Sequence, residues 1–152
     1  MKKIFLFVVA LAFITGISSC SSDDGKRDSV LKVTIDGEEK TFNVIVNKLE
    51  GSNEQGDSWV EIEVTATINN DPTEMLVFGV DEGELGSHVI WYFGYENDGI
   101  EYYDDTGINY VVEINENGRL KGAFVGIIAG EDNQGNPVEV VFTNGTFDIF
   151  HY

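Results

Sequence analysis

From Val30 onward the chain alternates apolar and polar residues with a period of two, and no window places apolar residues at helical spacing over the length of a helix. Val60, Ile62, Val64, Ala66 and Ile68 share one side of a run, with Glu61, Glu63, Thr65 and Thr67 on the other. Ile108, Tyr110, Val112 and Ile114 alternate with Asn109, Glu113 and Asn115 in the same way. A strand of this kind has one face on a core and one in water, which favours antiparallel pairing. Turn-forming residues fall between the runs: Asp36-Gly37, Asn97-Asp98-Gly99, Asn117-Gly118 and Asn144-Gly145. Such pairs accept the positive φ angles of a tight hairpin turn. Together with polar loops at 50–57, 69–74 and 130–136, they predict an all-β domain over residues 30–152. It is a single antiparallel meander of about ten strands, the last being Thr146–Phe150.

Glycines inside the strands bear on the architecture. Gly79, Gly94, Gly122 and Gly126 interrupt otherwise good strands, and each is tolerable where the sheet bends sharply or an aromatic ring packs over the gap. A strongly curled sheet follows, either a flattened β-barrel of lipocalin or calycin type or a β-sandwich. The chain has one cysteine, so no intrachain disulfide staples it and the core must hold it together. A length of 152 residues with no internal repeat fits one domain.

The N-terminus carries an address. Lys2 and Lys3 precede an apolar run, Ile4 to Ile14. As a helix that run spans about 16 Å, well short of the roughly 30 Å core of a bilayer, so it suits an export signal and not a membrane span. Ile17-Ser18-Ser19-Cys20 follows, and resembles the lipobox of bacterial lipoproteins, with Ile where Leu is commonest and Ser before the cysteine. The resemblance implies a cleaved signal peptide over residues 1–19 and acyl chains on Cys20; the alternative is a secreted protein with a free thiol. Two acyl chains hold a protein on a membrane where one does not. Residues 20–29 then form a polar tether with nothing to bury. Its Ser21-Ser22-Asp23-Asp24 run is similar to the signal that sends Bacteroidetes lipoproteins to the cell surface, and Asp28-Ser29-Val30 is similar to the O-glycosylation acceptor of those bacteria, which would make Ser29 the modified residue.

A broader resemblance covers most of the remaining chain. Val33-Thr34-Ile35-Asp36-Gly37, Gly118-Arg119-Leu120-Lys121-Gly122-Ala123-Phe124 and Val140-Val141-Phe142-Thr143-Asn144-Gly145-Thr146-Phe147-Asp148 look like the small Bacteroidetes surface lipoproteins grouped as domains of unknown function. This implies a compact β domain on a lipid anchor at the outer membrane, and no catalytic residue.

Charge and motif content narrow the function. Nine Lys and Arg stand against 27 Asp and Glu, a formal charge of −18. That excludes nucleic acid, which needs clustered cations, and docking on anionic headgroups by charge. The only histidines are His88 and His151, and no Ser or Cys stands beside a base, so the chain is expected not to be an enzyme and to need no cofactor. Glu61 and Glu63 share a face, but one in water.

Between Leu49 and Gly118 there are 17 acids and no Lys or Arg. Asp81, Glu82 and Glu84, with Asp104 and Asp105, form oxygen-rich loops that could hold calcium, although neither has the spacing of an EF-hand. Seven aromatics fall between Trp91 and Tyr110. Alternation puts Trp91, Phe93 and Tyr95 on one face, Tyr92 on the other, and Tyr102 and Tyr103 on opposite faces. Trp91, Tyr92, Tyr95, Tyr102 and Tyr103 are therefore the candidate ligand residues, beside Asp98, Asp104 and Asp105, since flat rings with nearby acids suit sugars. The expectation is an extracellular binding module for a glycan, peptide or protein, engaged at this hairpin or in the mouth of the curled sheet. The alternative is an accessory subunit of an envelope protein complex with no small ligand.

Overall fold

A computed structural model describes residues 28–103 and 107–152; the signal segment, Cys20 and the tether up to Arg27, and Asp104 and Asp105, lie outside the described residues. The described residues contain no helix and nine strands. These are β1 (Val30–Ile35), β2 (Glu38–Ser52), β3 (Ser58–Ile68), β4 (Asp71–Asp81), β5 (Ile90–Asn97), β6 (Ile100–Tyr103), β7 (Ile108–Glu116), β8 (Arg119–Glu131) and β9 (Pro137–Phe150). They form one antiparallel sheet in the order β6-β5-β4-β3-β2-β1-β9-β8-β7, not the two sheets of a sandwich. The sheet curls into a ring because β6 also pairs with β8, Tyr102 opposite Gly130 and Tyr103 opposite Ala129. Alongside, Val112 of β7 exchanges two 2.9 Å backbone hydrogen bonds with Gly86 of the β4–β5 loop.

Three of the four turn signals form hairpins. Asp36, Asp98 and Asn117 take φ angles of 49°, 51° and 53°, each followed by a glycine with positive φ. Asn144-Gly145 does not. It lies inside a continuous β9, where Asn144 (φ 53°) adds one residue relative to both neighbours. The same bulge shifts the register against β1 between Lys32 and Thr34 and against β8 between Phe124 and Gly126. One expected break therefore becomes a bend that helps curl the sheet, and ten expected strands become nine.

The interior is aromatic. Phe78, Phe93, Tyr95, Phe124, Phe142 and Phe147 are buried, with ring centroids 5.1 Å apart for Phe93–Phe124, 5.2 Å for Phe78–Phe147 and 5.4 Å for Tyr95–Phe142. These rings come from opposite walls and fill the middle of the ring, where a lipocalin-like fold would keep its ligand. Gly122 makes room for this packing and for the neighbouring strand: a Cβ there would lie 2.2 Å from Val111 O and 2.4 Å from the Phe147 ring. All of this core lies between Leu31 and Ile149, so a chain beginning at residue 21 keeps every contact of it.

One end of the ring buries polar groups. Asn115, expected to face water, is buried, because a bulge at Glu113 shifts β7 by one residue between Val112 and Ile114. Its amide donates to the carbonyls of Asp81 (2.8 Å) and Glu84 (3.1 Å). His151 is also buried, and among the described residues neither of its ring nitrogens has a hydrogen-bond partner. Burial, then the nearby Lys48, holds its imidazole below the usual histidine range, with Glu82 opposing. A depressed folded value means the neutral ring is what the fold accepts. Its contribution is complete above about pH 6.5, the unfolded value, and is lost as pH falls through the lower folded value. The thermal midpoint is expected to fall between pH 7 and 5.5, and His151→Leu to flatten that slope; scanning calorimetry at pH steps reads both, and parallel slopes would discard the assignment.

Candidate functional site

The structure divides the candidate aromatics by face. Tyr95 and Tyr102 belong to the core, their rings 5.8 Å apart, and Tyr95 donates to Glu74 Oε1 at 2.5 Å. They are corrected to packing residues. Alternation puts Trp91 on the same face as Phe93 and Tyr95, but it stands on the opposite, outer face, 54% exposed. The reason is again a bulge: Gly79 pairs with Tyr92 and Val80 with Ile90, so Trp91 is the extra residue of β5 and Ile90 takes the buried place. Tyr102 and Tyr103 face opposite ways as expected, Tyr103 outward and 60% exposed.

The outer rings share a construction. Three registered cross-strand pairs set an aromatic against a glycine: Trp59 with Gly51, Tyr92 with Gly79 and Tyr103 with Gly94. A Cβ would lie 2.4 Å from Trp59 Cε2 on Gly51 and 2.2 Å from Tyr92 Cε1 on Gly79. On Gly94 it would lie 3.7 Å from Tyr103 Cδ1. The Trp59 and Tyr92 rings therefore lie over the missing side chains of Gly51 and Gly79, while at Gly94 the nearer neighbour is Val77 Cγ2, 3.2 Å from such a Cβ. Trp91 packs edge-on to Tyr92 with centroids 4.6 Å apart. Tyr92 and Gly94 are alternate residues of β5, so the Tyr92 and Tyr103 platforms are neighbours about 7 Å apart along the strand.

Carboxylates flank these rings; of the acids expected there, Asp104 and Asp105 lie outside the described residues. Asp98 sits in the β5–β6 turn, at the far end of the strand from Trp91, and binds Thr73 O through its backbone. Instead, the registers Glu63–Gly79 and Gly79–Tyr92 bring Glu63 beside Tyr92, with Glu61 two residues away. Burial first, then the charge of Glu63, its hydrogen bond and Glu61, keep the Tyr92 hydroxyl protonated far above the ordinary tyrosine range. Burial, Glu63 and Asp81 likewise push the Glu61 carboxyl up. Tyr103 donates to Glu101, which pushes its hydroxyl up, and lines an open depression of about 360 Å³ with Gly99, Glu101, Gly130 and Glu131. The face thus combines flat rings, hydroxyl donors and carboxylate acceptors.

Of the two oxygen-rich loops, only the one with Asp81, Glu82 and Glu84 lies among the described residues. Glu82 pairs with Lys48 at 3.0 Å, and the Asp81 and Glu84 carbonyls accept from Asn115. Asp132 caps its own loop, accepting backbone N–H groups from Gln134 and Asn136, both at 2.8 Å. Among the described residues no group of three His, Cys, Asp or Glu is placed to hold a metal ion. Ser29 is tied down: its hydroxyl accepts from Phe150 N at 2.9 Å and donates to Phe150 O at 3.3 Å. His88 is exposed in the β4–β5 loop at φ 69°, its ring 6.4 Å from Tyr110.

A second outer surface was not foreseen. Val111, Val125, Ile127 and Val141 stand exposed on the adjacent strands β7, β8 and β9. Among the described residues no helix is long and apolar enough to cross a membrane. No protein-family model, no curated protein and no solved structure matches this chain.

Proposed function

We propose that this chain is a non-enzymatic binding module, exported, acylated at Cys20 and held on the outer membrane facing outward, whose outer sheet face takes an uncharged glycan. The observation that carries the reading is the row of flat outer rings, Trp91, Tyr92 and Tyr103, each beside a carboxylate or a tyrosine hydroxyl. A pyranose has apolar C–H faces for such rings and hydroxyls that donate to Glu63 and Glu101. The formal charge of −18 disfavours sulfated or uronic-acid polymers, so neutral chains are the class this surface suits.

Titration of residues 21–152 with a panel of neutral and anionic polysaccharides tests the reading. Trp91→Ala is expected to weaken the neutral ligand about tenfold, ~1.4 kcal/mol, with an unchanged unfolding midpoint because the ring is exposed. No binding across the neutral panel, or equal binding by Trp91→Ala, would remove the outer face as the site.

The accessory-subunit reading has one specific support, the aliphatic stripe of Val111, Val125, Ile127 and Val141. An uncharged patch across three strands is the chemistry of a protein contact, not of a sugar. The two readings use different parts of the ring's outer surface and exclude neither each other nor a shared anchor.

A further inference from the structure

The registers that set Tyr103 against Gly94, Tyr92 against Gly79 and Trp59 against Gly51 also fix where these rings stand relative to one another. Because Tyr103 is opposite Gly94, Tyr92 lies one strand across and two residues back along β5. Because Tyr92 is opposite Gly79 and Gly79 opposite Glu63, Trp59 lies two further strands across and four residues back along β3. As alternate strands of an antiparallel sheet, β3 and β5 run the same way, so the second step is twice the first in the same direction. The three residues are collinear. At about 3.4 Å per residue and about 4.8 Å per strand, the steps are roughly 8 and 17 Å, on a line about 35° from the strands.

That direction matters because the sheet is curled. The row of partners that leaves β2 at Ile45 passes Tyr103 and reaches Glu139 of β9. Phe142 of β9 is opposite Ile35, which is opposite Glu38, so the row through Glu139 comes back to β2 before Glu38. This offset tilts the strands against the axis of the ring, as in closed sheets, where the tilt is roughly 35–45°. A level circuit must regain the lost residues by advancing toward the C-terminal end of β2 on its way from β2 to β6. The axis, at right angles to that circuit, advances toward the same end on the way from β6 to β2, and so does the line from Tyr103 to Trp59. It therefore runs nearly parallel to the axis, the one direction in which a curled sheet is straight. Midway along the longer step stands Asp81, two residues on from Gly79, with Glu61 opposite it. Trp59 is 44% exposed, so both ends of the file and its Trp91 flank are open to a ligand.

We propose that this file is a track for one chain of a straight, neutral polysaccharide of the β-1,4-linked glucan or mannan class, held along its length and not by its end. The proposal rests on the outer face being a glycan site and names the shape of the ligand. Equatorial β-1,4 linkages make a ribbon whose apolar ring faces recur in a line, whereas a coiled α-linked chain leaves the file after one ring. Each ring holds a sugar weakly, and a chain that meets all three gains by effective concentration. Asp81 and Glu61 accept from its hydroxyls in the gap.

Titration of residues 21–152 with glucomannan, its oligosaccharides and amylose tests the track. Oligosaccharides are expected to bind better with length until they span the file, and glucomannan to bind better than amylose. Trp59→Ala is expected to weaken glucomannan about tenfold and the shortest oligosaccharide that binds less than about twofold. Trp59→Leu, which keeps bulk over Gly51 without a flat ring, is expected to do the same. Ile45 is exposed on the same face but off the line, so adding Ile45→Trp to Trp59→Ala is expected to restore nothing. If both Trp59 variants bind glucomannan like the unmodified chain while Trp91→Ala does not, the track is overturned and the outer-face reading stands. Restoration by Ile45→Trp, or amylose bound as well as glucomannan, also overturns the track alone. If the unmodified chain binds no neutral polysaccharide, both fall.

Discussion

Replacing Phe124 with alanine is expected to cost about 3–5 kcal/mol of folding stability and to lower the thermal midpoint by roughly 10–20 °C. The size follows from what the ring touches. Phe124 is buried on β8 and packs at 5.1 Å from Phe93 on β5, 6.2 Å from Phe142 and 6.5 Å from Phe147 on β9. It therefore joins walls of the ring that share no backbone hydrogen bonds, and its truncation leaves a cavity that neighbouring strands cannot close without breaking register. Gly145 lies directly beneath it, so no side chain stands ready to fill the space. Urea unfolding of residues 21–152 measures the loss. Tyr103→Ala, on the outer face, serves as control and is expected to change stability by less than about 1 kcal/mol. A loss below about 1.5 kcal/mol at Phe124 would mean that the aromatic interior relaxes around a hole and does not hold the ring open.

The hairpins were legible in the sequence because their cause is local. Asp36-Gly37, Asp98-Gly99 and Asn117-Gly118 each supply the left-handed pair that a two-residue turn requires, whatever surrounds them. Asn144-Gly145 has the same chemistry and a different outcome, since a left-handed asparagine also fits a bulge, and strands on both sides decide which forms. Bulges explain the two side-chain reversals as well. Trp91 moved outward and Asn115 inward because each follows or occupies a one-residue register shift that alternation alone does not encode. The candidate site was half legible for a related reason. Its rings could be found by composition, but the acids beside them come from β3 and β6, brought there by register. Glu61 and Glu63 were rightly placed on a solvent face, yet nothing in their own strand pointed to Tyr92.

Gly126→Ala is expected to destabilise the fold by about 3 kcal/mol, more than adding one methyl group usually does. At this position β8 comes so close to the start of β7 that a Cβ would lie 2.0 Å from Gly107 O and 2.8 Å from Ile108 Cα. Both obstacles are backbone, so neither can rotate away, and the Ile127 N–H to Gly107 O bond at 3.1 Å holds the two segments together. The added carbon must push the start of β7 off β8, while β7 stays tied further along, at Val112, to Gly86. Gly79→Ala provides the contrast. There a Cβ would lie 2.2 Å from Tyr92 Cε1, the far part of a side chain that can swing outward. Its cost in stability is expected to be about 1 kcal/mol or less, with the Tyr92 platform disturbed instead. Native-state hydrogen exchange separates the two mechanisms. Gly126→Ala should strip protection from the amides of Ile108 to Val112 while those of β2 and β3 keep theirs, and Gly79→Ala should leave both intact. If Gly126→Ala loosened every strand equally, β7 would be part of one cooperative ring and not a separable end strand. If it left β7 fully protected, the close approach of β8 to Gly107 would not be what holds β7 on the sheet.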